Sequence, residues 1–156
     1  MFGFGALMNF GVMDYDTSLD LPTSNVPNSI LGKIISTGVK WDALYFLEVA
    51  HHGYNFEKVT AFFPMYPTMI RVGGEAMAMC GMEVRAAYIL AGLLISWISF
   101  AIATEIMFRL SSSIFGGTRA FSQTLLFIIN PAGIFMSSVY TTSLFTCFSL
   151  AGIYAF

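Results

Sequence analysis

Residues 86–104 read AAYILAGLLISWISFAIAT, a stretch without a single charged side chain. The hydrocarbon core of a bilayer is about 30 Å thick and takes about 20 predominantly apolar residues as a helix. This segment therefore predicts a transmembrane helix, drawn here over 86–108. Working outward, two more charge-free blocks flank it, Met1–Met13 and Ala120–Phe156. The first would reach only ~20 Å as a helix, and it lacks the basic n-region and cleavage site of a signal peptide. It reads as the remnant of a first transmembrane segment. The second is too long for one span and is interrupted by Pro131 and the polar run SSVYTTS. Two short apolar helical arms around a polar turn near Ser137–Ser143 fit it best. The expected fold class is an all-α polytopic membrane protein, in a truncated form.

Composition supports that class. Of 156 residues, 56% are hydrophobic and 10% charged, with a mean hydropathy of +0.73. A soluble domain carries about 25% charged residues. The net charge of -2 supplies no basic field, so nucleic acid is excluded as a partner. Cys80 and Cys147 form neither a CxxC pair nor a disulfide framework and read as small packing residues. A transporter or channel subunit would need charges within its spans, and 86–104 and 120–156 contain none.

Thirteen of the sixteen charged residues lie between Asp14 and Arg85. That segment opens with the turn-rich DYDTSLDLPTSNVPNS. Lys40–His52 then predicts a short amphipathic helix: Ala43, Phe46, Leu47 and Ala50 share one face, with Trp41, Glu48, His51 and His52 opposite. Asp42 sits at the boundary in the first turn, and Gly53 is the expected stop. Such a helix suits a membrane–water interface, with Trp41, Tyr45 and Tyr54 as anchors. The following VTAFFPMYPTMI is too short and too proline-broken to span and reads as a packed, partly membrane-dipping loop. The connector 109–119, RLSSSIFGGTR, carries two arginines and is expected on the cytoplasmic side, which puts 14–85 on the lumenal side.

Chemistry is expected between Lys40 and Arg71, where carboxylates, histidines and cations gather on a loop beside a membrane. Solvated loop charges are the plainer account of the same residues. Asp42 is the sharpest candidate, either a reactive carboxylate or a helix N-terminal charge favoured by the macrodipole. Glu57 either binds hydroxyls or pairs weakly with Lys58. His51 and His52 diverge by 100° on a helix with no second ligand at i+4, so no metal site is expected. Asn130-Pro131 and Ser137–Ser143 are either a functional polar spot or helix-packing residues.

Several motifs stand in a telling order. They are Trp41-Asp42-Ala43, Phe46, Ala50, Gly53-Tyr54, Glu57, Ala61-Phe62-Phe63-Pro64 and Pro67, with Asp16-Thr17-Ser18 upstream and NPAGIFMSSVYTTSLF downstream. Together they resemble the first third of the phosphatidylinositol-glycan class V (GPI mannosyltransferase 2) family, within the glycosyltransferase C superfamily. One position departs: where the family usually has Glu after Tyr-Ser/Thr, this chain has Thr142. The resemblance implies a multi-pass enzyme of the endoplasmic reticulum membrane, with its first lumenal loop carrying the base. It would transfer the second, alpha-1,6-linked mannose from dolichyl-phosphate mannose to the GPI-lipid acceptor, with no cofactor and an accessory membrane subunit as a further partner. By position Asp42 matches the catalytic carboxylate. Trp41, Tyr54, Glu57, Lys58, Phe63, Pro64, Arg71 and Tyr140 would bind substrate. Arg71 would face the donor phosphate, with Lys40 and Lys58 as the other cations at hand, and Phe62, Phe63 and Tyr66 would line the way in for a polyprenyl chain. The alternative is a catalytically incomplete membrane fragment that only binds lipid or a partner subunit.

Overall fold

The computed structural model describes residues 38–39, 41–55 and 57–156. The expectations for 1–13, for Asp16-Thr17-Ser18 and for Lys40 lie outside them. Six helices and one 3-10 turn make up the described residues, with no strand among them: α1 Asp42–His52, the 3-10 turn Glu57–Ala61, α2 Met65–Met79, α3 Val84–Phe115, α4 Gly117–Ile128, α5 Gly133–Ser137 and α6 Thr142–Ala155. Helix α3 is the spine, touching each of the other five.

Helix α3 starts where the side chain of Glu83 accepts hydrogen bonds from the backbone N–H groups of Arg85 (3.0 Å) and Ala86 (2.8 Å). This cap satisfies two of the donors that a helix start leaves unpaired. It is the one helix among the described residues long and apolar enough to cross a membrane. At 1.5 Å per residue it runs for about 48 Å, longer than a bilayer core of about 30 Å. The helix continues to Phe115, into the stretch read as a connector. An ion pair one turn apart, Arg109–Glu105 at 2.7 Å, and the Ser113 hydroxyl bonding back to Leu110 O favour helix over loop there. The break is Gly116 alone, whose φ of 82° lies in the left-handed region that glycine tolerates.

Helix α2 replaces the loop expected around the two prolines. Pro64 precedes its first residue and Pro67 stands in its first turn, where a missing N–H costs no intrahelical bond. Its central Gly73-Gly74 pair is explained by packing: a Cβ on Gly74 would stand 2.5 Å from Tyr88 Cδ2. Gly92 plays the matching part on α3, where a Cβ would meet Val139 Cγ1 at 2.8 Å. Bare backbone at these points lets α2 and the 138–141 turn close onto α3.

Helix α1 ends at Gly53 (φ 80°), whose N–H bonds to Val49 O. Its expected face, Ala43, Phe46, Leu47 and Ala50, is buried, but so are Leu44, Glu48 and Val49. The two-faced interfacial helix is therefore corrected to one enclosed on most sides. Its position against α2, α3 and the residue 139–140 turn leaves little of its girth to solvent. The reading of Cys80 as a packing residue is corrected likewise, since it is exposed at the end of α2, whereas Cys147 is half-buried.

Candidate functional site

Asp42 is exposed in the first turn of α1, at the positive end of the helix dipole. The residue before it, Trp41, has φ 49° and ψ -120°, the one non-glycine residue with positive φ among those described. For a bulky side chain this backbone is strained by about 1–3 kcal/mol, and such strain persists only where the surroundings over-determine it.

Those surroundings are a line of rings. Trp41 packs on Phe135 (centroids 6.3 Å apart), Phe135 on Tyr140 (5.4 Å) and Tyr140 on Phe46 (6.5 Å). Phe46 continues to Phe62 (5.0 Å) and Tyr66 (5.3 Å). The polar turn and the Trp-Asp pair, far apart in sequence, are thereby joined at one end of α1. A backbone hydrogen bond from Val139 N–H to Gly38 O, at 2.9 Å, fixes the junction. Sequence reasoning named Trp41 and Tyr140 as binding residues but gave no role to Phe135, the aromatic of the NPAGIF motif, which sits between them.

The serines of this turn are occupied with backbone. Ser137 donates to Gly133 O, Ser138 to Ile134 O (2.7 Å) and Ser143 to Met136 O (2.5 Å), while Asn130 Oδ1 accepts from Ala132 N–H. The packing account of the polar spot is thus the one these side chains support.

The remaining candidates fall in different places. Tyr54 donates to Phe62 O at 2.6 Å, folding the loop after α1 back along the helix. Glu57 and Lys58 are exposed on the 3-10 turn, Phe63 is 77% exposed and Pro64 is exposed. Arg71 Nε donates to Glu75 Oε1 at 2.9 Å, and this hydrogen bond to the carboxylate raises the arginine's pKa. Arg71 is not brought to Asp42. It lies within electrostatic reach of Tyr88, whose ring packs 5.2 Å from His51 at the far end of α1.

Tyr66 cannot line an open channel, because it is fully buried. Its hydroxyl bonds to Gly92 O (3.1 Å) and Ser96 Oγ (2.8 Å), and burial pushes its pKa up despite the Ser96 bond. Apolar space exists instead between α2 and α3: a groove of about 500 Å³ bordered by Met69, Val72, Ala91, Leu94, Ile95 and Ile98.

A second cluster escaped the sequence reading. Glu48 is 3% exposed, and its Oε1 lies 3.0 Å from His52 Nδ1. Nε2 of His52 is in turn 3.0 Å from His51 Nδ1. The second carboxylate oxygen of Glu48 is buried without a partner. The signal was the Glu48–His52 spacing of four, which helix periodicity turns into contact. Among the described residues no group of three His, Cys, Asp or Glu is placed to hold a metal.

The fold thus sets an exposed carboxylate at the head of α1, next to a line of aromatic rings, in a chain whose spine helix is long and apolar enough to cross a membrane. Residues 4–156 match the mannosyltransferase (PIG-V) family, and the chain belongs to it. It is similar to GPI mannosyltransferase 2 of Cryptococcus neoformans, 31% identical over 90% of this chain and 31% of that relative. It is also similar to GPI mannosyltransferase 2 of Drosophila melanogaster, 30% identical over 70% of this chain and 25% of the relative. The GPI alpha-1,6-mannosyltransferase 2 of Cricetulus griseus is 30% identical over 68% of this chain and 22% of the relative. The chain thus spans about a third or less of these relatives. No solved structure matches.

Proposed function

We propose that this chain carries the donor-side catalytic loop of a mannosyltransferase of GPI-anchor biosynthesis, in a multi-pass membrane protein of the endoplasmic reticulum. The reaction moves mannose from dolichyl-phosphate mannose to the GPI precursor in alpha-1,6 linkage. The observation that carries the reading is Asp42, exposed at the head of α1 directly after the strained Trp41. The donor is a beta-linked mannosyl phosphate and the product is alpha-linked, so the acceptor oxygen attacks C1 in line and the phosphate leaves from the other side. Glycoside hydrolases need a second carboxyl group because their leaving oxygen must be protonated. A phosphate leaves as a stable anion, so one base suffices. Asp42 accepts the proton of the attacking hydroxyl, a role worth about 10²–10⁴-fold in rate.

The leaving phosphate calls for a cation. Arg71 would have to give up Glu75 to serve, whereas Lys40 is two residues from Asp42 in sequence. The groove between α2 and α3 offers a hydrocarbon chain an apolar bed. The loop 14–85 would face the lumen.

The test is rescue of surface GPI-anchored protein in cells lacking the second GPI mannosyltransferase. Rescue by the parent chain and not by Asp42→Ala supports the reading, and equal rescue by both removes Asp42 as the base. A second reading, a membrane piece that only binds lipid or a partner subunit, is favoured by the single helix of spanning length among the described residues. It predicts no rescue by a well-expressed, inserted chain.

A further inference from the structure

We infer that Trp41 and Phe135 form a stacking floor for one face of a hexopyranose beside Asp42, with Phe135 a substrate-positioning residue. The inference rests on the mannosyl-transfer reading and adds a sugar subsite to it.

Phe46, the next ring but one along the same line, is buried, whereas Trp41 is 51% and Phe135 38% exposed. An aromatic ring left open to solvent gains nothing from burial, yet these two are held in place from several sides. Helix α5, which carries Phe135, has five residues and is too short to hold its own shape. Helix α3 pins it, with Trp97 Nε1–H donating to Ser137 O at 2.8 Å. The start of α6 pins it again through Ser143 and Met136 O. Tyr140 braces the Phe135 ring edge-on, interplanar angle 80°. On the other side, Trp41 keeps a strained backbone (φ 49°), which persists only where its surroundings hold it. Two open rings are held at 6.3 Å and 35° to each other, and the carboxylate that follows Trp41 in the chain is itself exposed.

That combination has a specific chemical match. A hexopyranose presents C–H groups on a ring face and hydroxyls round its rim. The face of an aromatic ring carries negative quadrupole density that attracts C–H groups, and a carboxylate accepts strong hydrogen bonds from hydroxyls. A hydrocarbon chain would gain nothing from the carboxylate. Both donor and acceptor present a hexopyranose, and the experiment separates them.

The chain has two tryptophans, Trp41 and Trp97, so intrinsic fluorescence reports on this site. The full chain in lipid nanodiscs would be titrated with a short-chain prenyl-phosphate mannose, with the same prenyl phosphate lacking the sugar, and with methyl α-mannoside. The expected result is a signal that requires the sugar and disappears in Trp41→Phe. Phe135→Leu, which keeps apolar bulk without a ring face, should weaken binding roughly three- to tenfold. Phe135→Tyr should retain it, which guards against a folding defect in the leucine variant. Loss confined to the prenyl mannoside assigns the floor to the donor, and loss confined to methyl α-mannoside assigns it to the acceptor. An equal response to the sugar-free lipid, no response to either sugar, or unchanged binding in Phe135→Leu overturns the inference. Sugar binding with these properties but no mannosyl transfer leaves the floor standing and removes the enzymatic reading for this chain.

Discussion

His52 Nδ1 lies 3.0 Å from Oε1 of Glu48, one helical turn away, and joins an open imidazole to a carboxylate sealed inside the helix packing. The pair is asymmetric. Removing the histidine leaves a buried carboxyl group without its hydrogen-bond partner, while removing the carboxylate strands only a side chain that water can reach. His52→Ala should therefore lower stability by about 1–3 kcal/mol, and Glu48→Leu should cost less or nothing. Thermal unfolding of both single variants and the double variant in detergent measures the coupling. If Glu48→Leu proves the more damaging, the buried oxygen has a partner that this pairing does not supply.

Activity should depend on Asp42 far more than on Glu57. In an assay of mannosyl transfer, Asp42→Asn is expected to lose about 10²–10⁴-fold in kcat and Glu57→Gln no more than about tenfold. The reverse order would move the base to the 3-10 turn.

Trp41→Gly should separate stability from function. Glycine adopts φ 49° without strain, which offsets the lost ring pair, so unfolding should stay within about 1 kcal/mol of the parent. Sugar-dependent binding should nevertheless disappear, as read by retention on immobilised mannoside.

Gly92→Ala places a methyl group 2.8 Å from Val139 Cγ1 and should cost about 1–3 kcal/mol by overpacking. Gly117→Ala, with nothing within 4 Å, should not destabilise. Because Val139 also bonds to Gly38, Gly92→Ala should impair sugar binding as well as unfolding temperature.

Alkaline stability isolates Tyr66. Its pKa in the folded chain is raised above the ordinary 10.0 by burial, so above pH 10 the unfolded chain releases a proton that the folded one keeps. Stability contributed by the neutral phenol is complete below pH 10 and is lost as pH rises further. Tyr66→Phe should flatten that decline by up to about 1.4 kcal/mol per pH unit. Denaturant unfolding at pH 9 and pH 11 checks it.

How far the sequence could be read varies by residue. The charge-free run from Ala86 announced a long helix, and Gly53 announced the end of α1, because both signals are local. Pro64 and Pro67 misled because a proline breaks a helix interior but is welcome in a first turn, and periodicity alone does not tell the two apart. Glu48 was assigned to the wet face because a 100° stripe assumes one packing partner, and α1 has several. The ring line from Trp41 through Phe135 to Tyr140 was out of reach, since it depends on how the end of the chain returns to its beginning.

The hydrogen bond from Val139 to Gly38 sets a timetable as well as a shape. A ribosome delivers the Trp-Asp pair early, long before the strand of backbone that walls it in. During synthesis Asp42 must wait, exposed in an unfinished surround, until the last of these helices begins to emerge. A chain halted before Val139 would hold the carboxylate and Phe135, but neither the Tyr140 ring nor the bond that fixes the junction.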